Sequence, residues 1–267
     1  MVEVIAEIGW NHMGDMDLAE KMVKSASQAG ATYAKFQTWS TKRLKSGEWD
    51  HDGRREIYEN AELSKENHIF LIDKCDKYKI KFLSSCFSVE DAQLLKSLKQ
   101  KEIKIPSMEV RNYELINYCV NSFDHLYIST GTATEQDLIN LKEIINNKSC
   151  TIMHCVSSYP CSPENANLPR INLLSEKFDK VGYSDHVLGI DASLASLKYK
   201  TSCIEKHFTI DNNLPGRDNN FAILPDKLAY LTQYIVKQDL FHKDHGIDFQ
   251  ECEFVTRNEY SGRFSCK

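Results

Sequence analysis

Short apolar and β-branched runs alternate with stretches of helical periodicity along most of this chain. Eight runs read as strands: 2–9, 32–38, 81–87, 102–107, 125–130, 150–157, 180–185 and 203–208. Between the first two, residues 17–29 set Leu18, Met22 and Ala26 on one stripe before Gly30, a helix stop. Segments 64–78, 89–98, 112–121, 134–147, 187–199 and 226–240 carry the same period, with Ser64 and Thr134 as acceptor side chains at helix starts. Residues 158–179 are least regular: Pro160, Pro163 and Pro169 break them, and only about 171–178 reads as helix. Eight strand–helix units predict a single-domain α/β fold, the (β/α)8 or TIM barrel. The rival, a doubly wound sheet, carries in its dinucleotide-binding form a glycine-rich first turn. No G-x-G-x-x-G occurs here. The polar insertion 39–62 is long enough to be a functional loop over the barrel mouth. The expected organisation is a barrel over 1–240 and a tail over 241–267, either docked or frayed.

Composition narrows the class. For 267 residues, area scaling lets nearly three quarters of the unfolded surface, about 44,000 Å², be buried. A large core is therefore available without metal or disulfide staples. The net charge of −5 argues against a nucleic-acid partner held by overall charge. No apolar run reaches membrane-spanning length, and MVEVIAEIGW lacks a basic, then apolar, leader pattern. Nine cysteines between Cys75 and Cys266, with no C-x-x-C pair, suit free thiols in a reducing cytoplasm.

Chemistry in such a barrel sits at the C-terminal strand ends, and polar residues concentrate there. Strand one ends near Glu7, and strand two carries Lys35 and Gln37. Ser84 and Ser85 follow on strand three, then Lys104, Ser107 and Glu109 on strand four. Ser129 and Thr130, then Ser157, Ser158 and Tyr159, end strands five and six; Ser184, Asp185 and His186, then Glu205, His207 and Thr209, end the last two. Period-two alternation puts Lys35 with Gln37, Ser184 with His186, and Glu205 with His207 on shared faces. A full ring of polar residues is hard to explain as core packing. Individually, each has two readings. His186 and His207 are structural, or they hold an exchangeable ion with open positions. Lys35 and Lys104 snorkel, or they meet an anion. The serines cap helices, or they donate to a phosphate. Glu7 is ion-paired to a lysine, or it is catalytic. Cys86, Cys155 and Cys161 read as small buried hydrophobes.

Seven ordered blocks add a resemblance: AEIGWNHMGD (6–15), AKFQTW (34–39), EIKIPSMEV (102–110), ISTGTAT (128–134), MHCVSSYP (153–160), GYSDHVLGI (182–190) and EKHFTIDNNLPGRD (205–218). Together they resemble the N-acetylneuraminate (sialic acid) synthase family, which includes legionaminate and pseudaminate synthases. The resemblance implies a barrel enzyme that condenses phosphoenolpyruvate with an N-acylated hexosamine, giving a nine-carbon 2-keto-3-deoxy acid and phosphate. It assigns His186 and His207 to a divalent ion, Mn2+ or Mg2+. Lys35, Ser85, Lys104, Ser107, Ser129, Ser157 and Ser184 fall at phosphoenolpyruvate-contacting positions. Glu7, Gln37, Glu109, Tyr159 and Asp218 fall near the sugar and the reacting centre, with Glu7 and then Glu109 expected to handle the proton of the attacking water.

The chain also departs from that pattern. It ends at Lys267, before the antifreeze-like domain that in relatives supplies an arginine across a dimer. Arg217, where a proline is usual, is expected to substitute for that arginine beside Asp218; a homodimer or a separate capping protein is the other expectation. Ser85-Cys86-Phe87 replaces a common Thr-Pro-Phe, Ser157 replaces an amide, and Pro106 stands where glycine is frequent. The competing functions are a keto-deoxy-octulosonate phosphate synthase and a barrel without turnover acting as a sugar-binding or partner-requiring subunit.

Overall fold

The computed structural model describes residues 2–265, in which eight parallel strands close into a barrel in sequence order. The strands are β1 (Glu3–Gly9), β2 (Tyr33–Thr38), β3 (Lys81–Cys86), β4 (Glu102–Ile105), β5 (His125–Ser129), β6 (Cys150–Cys155), β7 (Val181–Asp185) and β8 (Cys203–His207). Around them run α1 (Met16–Gln28), α2 (Arg54–Ala61), α3 (Lys65–Tyr78), α4 (Val89–Ser97), α5 (Tyr113–Ser122), α6 (Glu135–Ile145), α7 (Arg170–Ser175), α8 (Asp191–Ser196) and α9 (Pro225–Phe241). The expected (β/α)8 architecture is therefore present, with corrections at element ends. β4 stops two residues early because Pro106 has no N–H for the ladder, and Ser107–Glu109 form a 3-10 turn. β6 stops at Cys155, leaving Ser157 in the following loop. The helix expected over 187–199 shortens to α8 and a 3-10 turn, because the Asp185 carboxylate takes the Val187 N–H at 2.8 Å and turns the chain first. The 39–62 insertion is partly helical, holding two 3-10 turns and α2. Beyond α9, residues 242–265 are exposed, with Ile247, Phe249, Phe254 and Phe264 uncovered. Cys266 and Lys267 lie outside the described residues.

Alternation along the strands divides the interior into layers. Outward residues such as Val4, Ala6, Ile8, Ala34 and Phe36 pack under the helices. Gly30 (φ +85°) lets α1 turn into β2 where a Cβ would sit 3.0 Å from Thr232 Oγ1 of α9. Inward, Ile5, Tyr33, Leu83, Tyr127, Met153 and Cys203 form one buried apolar cluster that plugs the barrel. One step further along the strands come Glu7, Lys35, Lys104 and Glu205, all buried. Register places Glu7 beside Lys35 on one side and His207 on the other, and Ser184 beside Glu205. The apolar plug is thus the floor under a polar chamber.

A second polar cluster fastens β7 to β8 from outside. Asp185 accepts from Tyr183 Oη (3.0 Å), Ser193 Oγ (2.5 Å) and Lys206 Nζ (3.1 Å), and Lys206 also reaches the Val187 carbonyl. Both members of this ion pair are almost wholly buried, so removing one leaves an uncompensated charge. Asp185→Ala should lower unfolding free energy by about 3–5 kcal/mol, read from denaturant midpoints; a loss under about 1 kcal/mol would show that water reaches Lys206.

His12 makes a pH-dependent contribution. Its Nδ1 accepts the Gly14 N–H at 3.0 Å, and burial pushes its pKa down to about 4. The unfolded chain protonates this histidine near pH 6.5, so between 6.5 and 4 the unfolded state binds the extra proton. Stability is complete above pH 6.5 and falls by about 3 kcal/mol as pH drops through the folded value. His12→Asn, which keeps an acceptor for Gly14, should decline correspondingly less over that window in urea titrations; parallel pH profiles would contradict the assignment.

Candidate active site

A cavity of about 780 Å³ opens at the C-terminal ends of the strands. Fourteen of the fifteen sequence-predicted site residues line it: Glu7, Lys35, Gln37, Ser85, Lys104, Ser107, Glu109, Ser129, Tyr159, Ser184, His186, His207, Arg217 and Asp218. Ser157 is absent from the wall. It sits in the loop after β6 with its hydroxyl beside Gly131, where an added Cβ would come 2.3 Å from it and 2.8 Å from the Ser107 hydroxyl.

The chamber floor is a charge-balanced lattice. Lys35 Nζ lies 2.7 Å from Glu7 Oε2, 2.8 Å from Ser85 Oγ and 3.8 Å from Glu205 Oε2. Lys104 Nζ holds both Glu205 oxygens at 3.1 and 3.0 Å, and Ser184 Oγ donates to Glu205 Oε1 at 3.0 Å. Glu205 is the residue missing from the sequence-predicted site. Its position on the face of His207 was legible, but its ion pairs cross the barrel and have no local signature. Burial opposes charge on Glu205, yet Lys104 and Lys35 outweigh it and hold the carboxyl down to about 2. Glu7 differs. Burial, joined by the like charge of Glu205, outweighs Lys35 and raises its carboxyl above the usual range. Both readings of Glu7 thus remain compatible: it is ion-paired, and of the two floor carboxyls it is the one that takes up a proton more readily. Gln37 fixes it through Nε2, 2.7 Å from Oε1.

Hydroxyls and backbone complete one side. Ser107 Oγ accepts the Gly131 N–H at 3.2 Å, and buried Ser129 Oγ has no protein partner. Two ammonium groups, two hydroxyls and a glycine backbone too close-packed for any side chain suit an oxyanion such as phosphate or carboxylate.

The two imidazoles stand opposite. Their ring centroids are 5.4 Å apart, and Tyr159 lies 4.2 Å from His186. His186 Nδ1 donates to the Val156 carbonyl at 2.9 Å, which leaves Nε2 as the nitrogen an ion would take once it is deprotonated. His207 Nδ1 is buried without a hydrogen-bond partner; the nearby Asp218 Oδ2, 3.5 Å away, is taken by Trp10 Nε1 at 2.8 Å. Burial and the neighbouring His186 keep His207 neutral, well below the ordinary histidine range. For His186, burial is outweighed by the Cys155 thiol, the Val156 carbonyl and Glu205, which raise it, so binding an ion there would release a proton. An orphaned, neutral, buried imidazole nitrogen beside a second imidazole is a donor set that fits a divalent ion. Among the described residues no group of three or more His, Cys, Asp or Glu could hold one, so any such ion keeps positions for water or substrate.

The roof is the 39–62 insertion, which adds Trp39, Arg43, Lys45, Trp49, Arg54 and Tyr58 to the wall. Sequence reading identified this loop as covering the site without singling out these side chains. Asn112, also on the wall, donates to Glu109 Oε2 at 2.8 Å.

Comparison with known proteins agrees with this geometry. The sequence pattern of the NeuB family matches residues 22–245. An N,N'-diacetyllegionaminic acid synthase of Legionella pneumophila is 34% identical over 251 residues, 87% of this chain and 70% of that protein. A pseudaminic acid synthase of Campylobacter jejuni is 31% identical over 265 residues, 94% of this chain and 77% of its own length. The crystal structure of an N-acetylneuraminic acid synthetase from Leptospira borgpetersenii superposes with a TM-score of 0.84 at 30% identity, covering 100% of this chain and 93% of that one. With residues 22–245 matched by the family pattern and 87% of the chain aligned to a relative at 34% identity, the chain belongs to the NeuB family.

Proposed function

We propose that this protein condenses phosphoenolpyruvate with the open-chain aldehyde of an N-acylated hexosamine, giving a nine-carbon 2-keto-3-deoxy acid and phosphate. The observation that carries it is the pairing, in one cavity, of an oxyanion-binding floor with two imidazoles free to hold an ion. Lys35, Lys104, Ser107, Ser129 and Ser184 would bind the phosphate and carboxylate of phosphoenolpyruvate, with Lys35 and Lys104 exchanging part of their contact with Glu7 and Glu205 for the ligand. Ser85 orients Lys35. A divalent ion held by His186 and His207, when bound, would polarise the acceptor aldehyde as a Lewis acid.

The enol double bond supplies the electron pair that joins phosphoenolpyruvate C3 to the aldehyde carbon, and the aldehyde oxygen takes up a proton. Water then adds at C2, and the C2–O bond to phosphate breaks. Glu7, raised by burial and fixed by Gln37, accepts the proton that the water loses. Holding both substrates over one floor turns a bimolecular encounter into an aligned pair. Gln37, Glu109, Tyr159, Arg217 and Asp218 face the same chamber and are assigned to the sugar.

The test is phosphate release by purified protein supplied with phosphoenolpyruvate, manganese and a panel of N-acyl hexosamines. Release that requires one of the sugars supports the reading. Release independent of every sugar would overturn it.

A further inference from the structure

Among the described residues, six cysteines are buried: Cys75, Cys86, Cys119, Cys155, Cys161 and Cys203. All but Cys155 pack into apolar clusters, as small hydrophobes do. Cys155 instead ends β6 on the cavity wall, where its sulfur meets polar atoms from several strand ends. Ser107 Oγ donates to its Sγ at 3.2 Å, His186 Nδ1 lies 3.7 Å away, and Ser157 Oγ 4.0 Å. The expectation of a small buried hydrophobe therefore holds for Cys86 and Cys161 but not for Cys155. One sulfur atom touches both an oxyanion-side hydroxyl and an ion-side imidazole.

The Ser107 contact decides what this thiol does. Ser107 Oγ accepts the Gly131 N–H at 3.2 Å, so the one hydrogen it can offer a ligand is the one it now gives to sulfur. Ser184 is engaged too, but with a carboxylate: it donates to Glu205 Oε1 at 3.0 Å. A hydrogen bond to a charged oxygen is roughly twice as strong as a neutral one, whereas a thiol sulfur is a weak acceptor. Of the two hydroxyls, Ser107 is therefore the one that changes partners at little cost. The thiol cannot turn its own hydrogen on His186 Nδ1, which already donates to the Val156 carbonyl at 2.9 Å. Gly131 leaves the group its room, since an added Cβ would stand 2.8 Å from Ser107 Oγ and 3.1 Å from the sulfur.

We propose that Cys155 is a positioning residue: its thiol holds the Ser107 hydroxyl as a weak acceptor and yields it to an oxyanion of phosphoenolpyruvate. This rests on the condensation reading above, which places that ligand on the floor. The mark of the role is an inverted order of substitutions. A cysteine that only fills space is replaced best by whatever fits its volume. Here serine, the near isostere, is the damaging choice, because its oxygen is a full-strength acceptor that keeps the Ser107 hydrogen from the ligand. Alanine, which accepts nothing, leaves that hydrogen free.

The test is a double-mutant cycle read by binding. Phosphoenolpyruvate and inorganic phosphate are titrated calorimetrically into purified protein without sugar or added metal. Cys155→Ser should weaken phosphoenolpyruvate about three- to tenfold, the worth of one neutral hydrogen bond, while Cys155→Ala stays within about twofold of the parent. In a Ser107→Ala background, Cys155→Ser should change the affinity by less than about twofold, since the partner it acts through is gone. A serine penalty shared by inorganic phosphate identifies the phosphate group as the displacing oxyanion, and one confined to phosphoenolpyruvate identifies the carboxylate. Equal losses in the serine and alanine variants, no loss in the serine variant, or a serine penalty that survives Ser107→Ala would each overturn the proposal. Infrared spectra of the parent protein give a reading that does not depend on the serine variant. The S–H stretch that disappears in Cys155→Ala should shift when phosphoenolpyruvate binds, and should stay in place in Ser107→Ala. A band indifferent to the ligand, a shift that persists without Ser107, or no such S–H band at all would also overturn it. Failure of this cycle beside intact sugar-dependent phosphate release removes the role of Cys155 alone; a parent protein that binds neither ligand removes the condensation reading with it.

Discussion

Lys104→Met should reduce turnover by about 10²–10³-fold, the usual cost of deleting one preorganised donor to developing charge. The side chain is almost fully buried and reaches both oxygens of Glu205, so methionine fills its place without supplying a cation. Glu205 keeps Ser184 and the more distant Lys35 at 3.8 Å. The fold should therefore survive with a loss at or below the about 3–5 kcal/mol of a buried ion pair deprived of one member. The kinetic signature is specific: the KM for phosphoenolpyruvate should rise more than that for the sugar. Activity within tenfold of the unsubstituted protein would mean that Lys104 serves only to neutralise Glu205. Glu205→Gln provides the complement, since it releases Lys104 while preserving the hydrogen-bonding shape of the floor.

His207→Ala should remove manganese binding and lower turnover by about 10³-fold, equivalent to about 4 kcal/mol of transition-state stabilisation from a Lewis acid. The orphaned Nδ1 makes the substitution clean, because no protein hydrogen bond is lost with that atom. Loss of the ring's contacts with Tyr159 and Phe221 leaves a small cavity but an intact barrel. Manganese binding is read directly from the electron paramagnetic resonance of the free ion, and folding from circular dichroism. Retained manganese affinity and turnover would refute the ligand assignment.

Much of this architecture was legible before any coordinates. Strand and helix positions follow from residues whose spacing has one physical solution: Leu18, Met22 and Ala26 bury on one helix face, and Lys35 and Gln37 must share a side of β2. The chamber was legible for the same reason, since alternation alone directs Glu205 and His207 inward together. Alternation does not show which carboxylate meets which ammonium across the barrel: a lysine partner for Glu7 was one of its two readings, whereas the pairing of Lys104 with Glu205 had no local signature. Ser157 looked like a rim residue because polar character continues past Cys155. The ladder ends there, and Ser157 stands two residues into the loop with its hydroxyl against Gly131. The helix inside the roof loop was hidden because α2 is short and strongly polar, with only Ile57, Tyr58 and Ala61 apolar and only Ala61 buried. What holds it is local ion pairing between Arg54 and Asp52 and between Arg55 and Asp50, which periodicity does not report.

The layout also connects stability to function. The Asp185–Lys206 pair lies behind the two strands that carry His186 and His207, so weakening it should loosen the imidazole spacing before the barrel unfolds. The apolar plug below the floor closes the opposite end, making the C-terminal mouth the route by which both substrates meet the buried charges.

The most direct test of the account follows the carbon. Phosphoenolpyruvate labelled with 13C at C3 is incubated with the protein, manganese and the sugar that supports phosphate release, and the mixture is observed by NMR. The label should move from an alkene methylene to a saturated CH2 coupled to the proton on the former aldehyde carbon, in step with phosphate. Appearance of the label in the methyl group of pyruvate, with the sugar unchanged, would show hydrolysis in place of carbon–carbon bond formation and would contradict the account.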